Sequence, residues 1–159
     1  MKYEIRLAMD DDIAPALDLA WRMFVKYDSP DYGVEHTERM RVAIEDRLKN
    51  LSIYIQRLML VALVDDKVAG MLETYGTNRI SLLFVDSEYQ RKGIATAMMS
   101  KIASELKIRG YDKIVLNSSP YGLPFYEHFG FAVEDEEKNA DTPWKIPMSY
   151  ILWNTSYSG

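Results

Sequence analysis

The segment Gln90-Arg91-Lys92-Gly93-Ile94-Ala95-Thr96 carries the residue types and spacing in this chain best suited to chemistry. A loop of small residues that opens a helix leaves backbone N–H groups without intrahelical partners at the positive end of the helix dipole, and such a place binds anions. Gly93 permits close backbone approach, Ala95 keeps the next turn low, and Arg91 and Lys92 add positive charge beside the donors. Taken alone, Gln-x-x-Gly-x-Ala also describes an ordinary helix start whose glycine serves loop geometry. The spacing fits neither Gly-x-Gly-x-x-Gly nor Gly-x-x-x-x-Gly-Lys-Ser/Thr, so nicotinamide dinucleotides and nucleoside triphosphates are poor candidates for it.

Other chemistries are bounded by composition. The chain has no cysteine, which removes disulfides, thiolate metal sites and a cysteine acyl-enzyme together. Its two histidines, His36 and His128, stand far apart without metal-ligand spacing, so no metal site is expected. No Gly-x-Ser-x-Gly elbow occurs. The formal net charge of -5 is spread along the chain, with no basic footprint for nucleic acid or for a membrane surface, and it suits a cationic or neutral small partner. Met1 to Arg6 lacks the apolar core of a signal peptide and no apolar run is long enough to span a bilayer, so a cytoplasmic location is expected.

A length of 159 residues favours one domain, residues 1–159, and the periodicities supply its elements. Tyr3 to Ala8 reads as a strand, and Asp10-Asp11-Asp12 caps a helix with Pro15 in its first turn and an apolar stripe of Ile13, Leu17, Ala20, Trp21 and Phe24. After a break at Ser29-Pro30-Asp31, Met40, Ile44, Leu48 and Leu51 share a face of a second helix. Leu58 to Val64 and Lys67 to Tyr75 form a hairpin about Asp65-Asp66, and Ile80 to Val85 reads as a strand buried on both faces. A helix follows with Ile94, Met98, Ile102 and Leu106 on one face, closed by Gly110, and Lys113 to Asn117 returns as a parallel strand. Tyr121 to Phe129 is a short helix, Glu134 to Asp141 a solvated acidic loop, and strands near Phe131 to Val133 and from Lys145 to Trp153 finish the order.

With these elements in place the chain resembles the GCN5-related N-acetyltransferase (GNAT) superfamily. The likeness rests on Gln90 to Ala95 as its pyrophosphate motif, on Leu82-Leu83-Phe84-Val85 as its central strand, and on Tyr126-Glu127-His128-Phe129-Gly130-Phe131 as its Tyr-x-x-x-Gly-Phe element. It implies an α+β (mixed α/β) fold, with a central, mostly antiparallel mixed sheet, a splayed parallel strand pair and flanking helices. It also implies that the amides of Arg91, Lys92, Gly93 and Ala95, with Thr96, hold the pyrophosphate of coenzyme A, in a loop opened by Gln90 and continued through Ile94. Leu83, Phe84 and Val85 form the stretch along the pantetheine arm, with main-chain groups of Leu83 and Val85 as its partners, so that the arm behaves as an extra strand. Where the family often has asparagine this chain has Ser119, and either Ser119 or Asn117 makes that polar contact.

By the same resemblance Tyr126 protonates the departing thiolate. A coenzyme A thiol should titrate near a cysteine thiol, about 8.5, and a phenol can stabilise such a leaving sulfur. Only a neutral amine attacks, and Glu73 is the expected base, directly or through water; an outward-facing strand carboxylate is the alternative reading of that residue. The implied function is transfer of an acetyl or longer acyl group from acetyl-CoA, as cosubstrate and without a metal, to a primary amine by direct attack in a ternary complex. A catalytically silent acyl-CoA-binding module is the alternative. The acceptor, a small molecule or a peptide amine, is expected to be selected by Asp28 to Thr37, and a homodimer through Tyr150 and Trp153 is possible.

Overall fold

A computed structural model describes residues 1–134 and 145–153. The first strand forms as expected, β1 (Glu4–Leu7), and leads to α1 (Asp10–Met23). Of the three acids at its start, Asp12 does the capping, because from the third helical position its carboxylate accepts the Met9 N–H at 2.7 Å. The expected break at Ser29-Pro30-Asp31 is not a loop. The chain passes through a π-helical turn, Phe24–Asp28, directly into α2 (Ser29–Lys49). Pro30 lies in the first turn of α2, where a missing N–H breaks no helical bond, and the real interruption is Gly33 at φ +81. Ile44 is buried but Leu48 and Leu51 are exposed, because α2 turns Arg47 as well as Ile44 to the sheet and Leu51 already belongs to a 3-10 turn, Leu51–Ile55.

The hairpin is β2 (Met59–Val64) and β3 (Lys67–Thr74), joined by Asp65 and Asp66 at φ 50 and 63, the left-handed pair that a two-residue hairpin turn demands. Then come β4 (Arg79–Val85), α3 (Ile94–Ile108), β5 (Lys113–Ser118), α4 (Leu123–Phe129), β6 (Ala132–Val133) and β7 (Ile146–Ile151). Gly110 closes α3 at φ +92, with Tyr111 N–H returning to Leu106. Most of the acidic loop, and Trp144, lie outside the described residues.

Among the described residues the sheet has seven strands in the order β1-β2-β3-β4-β5-β7-β6. Every pairing is antiparallel except β4 with β5. Alternation along β2 feeds two cores. Leu60, Ala62 and Val64 pack with Ile94, Met98 and Ile102 of α3, while Met59, Val61 and Leu63 pack with Ile13, Leu17 and Ala20 of α1. Gly70 of β3 makes room for α3, since a Cβ there would stand 3.0 Å from Met98 Cε and 3.2 Å from Ile94 Cγ2. This contact seats the start of α3, and with it the loop that precedes the helix, against the end of β4.

The parallel pair holds together only at its beginning. Arg79 pairs with Val115 and Ile80 with Leu116, and from there the two strands part. On its far side β5 stays paired with β7 from Lys113 to Ser118, so β5 follows β7 away from β4 and leaves a wedge inside the sheet. The expectation that β4 is buried on both faces is corrected here. Leu83, Phe84 and Val85 are only half-buried, because their open side is a wall of the wedge.

Candidate active site

The wedge opens into a cavity of about 510 Å³ whose walls come from β4, the loop before α3, the end of β5, α4 and the turn between α1 and α2. The register fixes which β4 groups face it. Asp86 N–H bonds Ala69 of β3 at 2.8 Å, so by the two-residue period the main chain of Phe84 also faces β3, and that of Leu83 and Val85 faces the wedge. The Gln90 side chain makes this visible by donating to the Val85 carbonyl at 3.0 Å across the open side. Of the three strand residues read from the sequence, Leu83 and Val85 therefore offer backbone, while Phe84 offers its side chain to the cavity wall.

The loop from Gln90 to Gly93 bends through left-handed conformations at Arg91, φ +61, and Gly93, φ +87, before α3 begins at Ile94. Left-handed residues next to a helix start turn successive N–H groups toward a common point, the geometry of an anion nest. Gln90, Arg91, Gly93, Ile94, Ala95 and Thr96 line the cavity. Lys92 does not; it is exposed outside the wall, so its charge and not its side-chain contact is what it can contribute. Asn117 and Ser119 both line the opposite wall, at the end of β5.

Tyr126 lies on α4, wedged edge-on between Phe125 and Phe131 with ring centroids 5.4 and 5.5 Å away. Its ring passes so close to Gly122 that a Cβ there would stand 3.1 Å from Tyr126 Cε2. Tyr126 lines the cavity and its hydroxyl is buried. Burial, then the charge of Asp28, pushes its pKa above that of an ordinary phenol, so it is protonated at neutral pH and can act only by donating.

Glu73 is elsewhere. It is completely buried on the α2 side of β3 and outside the cavity wall, so neither the expected access to a substrate nor the outward-facing alternative describes it. Its carboxylate accepts from Arg47 Nε and Nη2 at 2.9 Å each, Tyr54 at 2.6 Å and Ser81 at 2.6 Å, with Arg57 at 3.6 Å. Burial alone raises such an acid, but Arg47 and the hydroxyl donors override it and hold Glu73 below the usual carboxylate range. A carboxylate so fully bonded is a poor proton acceptor and a good strut between α2, the 3-10 turn and the sheet.

Residues not picked out by motif complete the cavity. Asp28, the last residue of the π turn, is 7% exposed and lines the same space as Tyr126. Burial raises its pKa to about 6, opposed by the Ser119 hydroxyl and assisted by Asp31. Tyr32 stacks on Phe24 at 5.4 Å, and Tyr27 on Tyr121 at 4.5 Å. Tyr27 donates to Ser87 at 3.2 Å and Tyr121 to Gln90 at 3.3 Å, so that stack ties α1's end to the anion loop and to the approach of α4. The sequence carried one signal for Asp28: the apolar stripe Ile13, Leu17, Ala20, Phe24 continues four residues on with an acid.

Residues 28–152 match the acetyltransferase (GNAT) domain family. An N-acetyltransferase of uncharacterised function from Escherichia coli K12, YafP, is 27% identical over 78 residues, which are 49% of this chain and 48% of that protein. The N-alpha-acetyltransferase 30 of Xenopus laevis is 27% identical over 127 residues, covering 68% of this chain and 45% of that one. The chain thus spans about half the length of the curated relatives it matches. A crystal structure of the Thermoplasma acidophilum PaiA N-acetyltransferase in complex with coenzyme A superposes with a TM-score of 0.77 at 23% identity, over 95% of this chain and 99% of that one. The splayed β4–β5 pair, the loop before α3 and the match across most of the sequence have one common meaning: this chain is a member of the GNAT acetyltransferase family.

Proposed function

We propose that the protein transfers an acetyl group from acetyl-CoA to a primary amine, by direct attack within a ternary complex. One observation carries the reading. A bare stretch of β4 main chain, Leu83 to Val85, runs from an anion nest at Gln90 to Gly93 toward a buried phenol at Tyr126, and a thioester with a phosphate at one end of an amide-bearing arm fits that run. The nest residues would hold the pyrophosphate, Leu83 and Val85 would bond the arm as a strand, and Asn117 or Ser119 would contact it from β5. Acetyl-CoA supplies the activated acyl carbon. Tyr126 holds the proton that the leaving sulfur needs, and its raised pKa keeps that proton in place until the sulfur carries charge.

Tyr126→Phe keeps the ring between Phe125 and Phe131 and deletes only the hydroxyl. The turnover number should fall by roughly ten-fold to ten-thousand-fold, while acetyl-CoA affinity measured by calorimetry stays nearly unchanged. Acetyl-CoA binding without cleavage by any amine in the unaltered protein would favour the silent binding module instead. Trp153, half exposed beyond β7, supports a homodimer there, whereas Tyr150 packs on Phe129 and Phe131 of its own chain.

A further inference from the structure

The structure assigns the acceptor's ammonium to Asp28: we infer that this carboxylate binds the ammonium, takes its proton as the catalytic base, and restricts acceptors to amines with no anionic group near the reacting nitrogen. The inference rests on the transfer reading above.

Asp28 and Arg91 are the only charged side chains among the described residues that line the cavity, and Arg91 is not among the groups that act on Asp28. Arg91 stands in the anion nest, while the charge of Asp28 acts on Tyr126. Asp28 forms no ion pair among the described residues. A carboxylate this buried is expensive to keep ionised without a counter-charge, and a cavity is where a ligand can supply one. The local backbone also aims it inward. The π turn that follows α1 ends on Asp28, and both Tyr27 and Asp28 line the wedge. Two aromatic stacks, Phe24 on Tyr32 and Tyr27 on Tyr121, line the same cavity, and aromatic rings favour a cation over an anion.

Among the described residues the groups that act on or feel Asp28 are Asp31, Tyr32, Tyr121, Tyr126 and the Ser119 hydroxyl, and none of these is cationic. With its pKa at about 6, Asp28 is ionised at neutral pH yet more basic than an exposed aspartate. Its charge is also one reason that Tyr32 and Tyr126 hold their protons so firmly. The two roles are thereby coupled, since protonation of Asp28 removes that charge and makes Tyr126 a stronger acid at the moment its proton is required.

The protons balance. An ammonium docked on Asp28 gives up one proton to it, which Asp28 releases to water, and the freed lone pair forms the C–N bond to the acyl carbon. The nitrogen then yields its second proton to Asp28 as the C–S bond breaks. The departing sulfur takes the Tyr126 proton, and the proton now on Asp28 restores Tyr126. Ammonium and thioester become amide, thiol and one proton in solution.

The test compares the unaltered protein with Asp28→Asn, using acetyl-CoA and four probe amines: 1,5-diaminopentane, benzylamine, glycine and glucosamine 6-phosphate. The expected result is turnover of the first two over the last two, with kcat/KM rising with pH through about 6 in the unaltered protein. In Asp28→Asn that limb should vanish and kcat/KM for the amines should fall by about a hundred-fold or more, with acetyl-CoA affinity within about two-fold. An Asp28→Asn protein that keeps the limb or the rate overturns the inference and leaves the transfer reading standing. So does a preference of the unaltered protein for glycine or the sugar phosphate. Acetyl-CoA binding with no turnover of any of the four, or no acetyl-CoA binding at all, overturns the transfer reading and this inference with it.

Discussion

Glu73→Gln takes one negative charge from beneath two guanidinium groups and changes almost nothing in shape. Tyr54 and Ser81 bond different carboxylate oxygens, so the single amide oxygen of glutamine can still accept from one of them, and Arg47, whose side chain is only 11% exposed, is left as a buried cation with no counter-charge. Removing one partner of such a pair destabilises a protein by about 3–5 kcal/mol, because the other charge stays desolvated. For a chain of this length each kcal/mol lowers Tm by about 2–4 °C, so thermal unfolding followed by circular dichroism at pH 7 should shift down by about 6–20 °C. Glu73 is held below its unfolded pKa, so its contribution is present above the ordinary carboxylate range and lost as pH falls through the native value. The gap between the two proteins should therefore narrow in acid. Below the new Tm the variant should keep the turnover number of the parent, since Glu73 does not reach the cavity. A Tm within about 2 °C of the parent would refute the strut. A lost turnover number in a fully folded variant would return Glu73 to the chemistry.

Gly93→Ala should weaken acetyl-CoA binding by about ten-fold or more in calorimetry while lowering stability by only about 1–2 kcal/mol, because the left-handed backbone and not space is what opposes a side chain there: the nearest atom to its Cβ would be Tyr3 Oη at 3.9 Å. Gly93→Asn, which tolerates φ near +87 better, should recover most of the stability and little of the affinity. Asp28→Asn should raise stability at pH 7 by about 2–3 kcal/mol in urea titrations, since a carboxyl whose pKa rises from 3.8 to about 6 on folding is ionised at the native state's expense. The sign follows directly: the native state binds more protons between those values, so the parent loses stability as pH rises from about 4 to about 6, and the variant does not.

The strands, α3 and the anion loop were legible in the sequence because each depends on neighbours in the chain. The period of β2 and β3, the left-handed turn at Asp65 and Asp66, and the four-residue rhythm from Ile94 to Leu106 act within a dozen residues. The family likeness then supplied Tyr126 and the wedge, neither of which periodicity contains. Two things were not legible. Tyr54 and Arg47 reach Glu73 from 19 and 26 residues away, on elements whose packing decides whether a strand carboxylate meets water or Arg47. The role of Asp28 depends on β4, β5 and α4, distant in the chain, which bring the rest of the cavity to it, and Ser29-Pro30 gives the same local signal for a helix that stops and for one that starts anew. Lys92 is expected for its amide and its charge, yet its side chain stands outside the wall, exposed between the left-handed residues Arg91 and Gly93.

The parting of β4 from β5 decides at which moment the free energy of opening a sheet is spent. Two strands that remained paired to their ends would have to give up ladder bonds, each worth about 1 kcal/mol, before an extended arm could lie between them, and that loss would be subtracted from every association. Here β5 follows β7 after only two register pairs with β4, so those bonds are forgone once, when the chain folds. The weakness belongs to the folded state, and the affinity is spared it. A sheet built in this way needs no minor open population to admit its guest, and occupancy returns to the fold the strand it lacks.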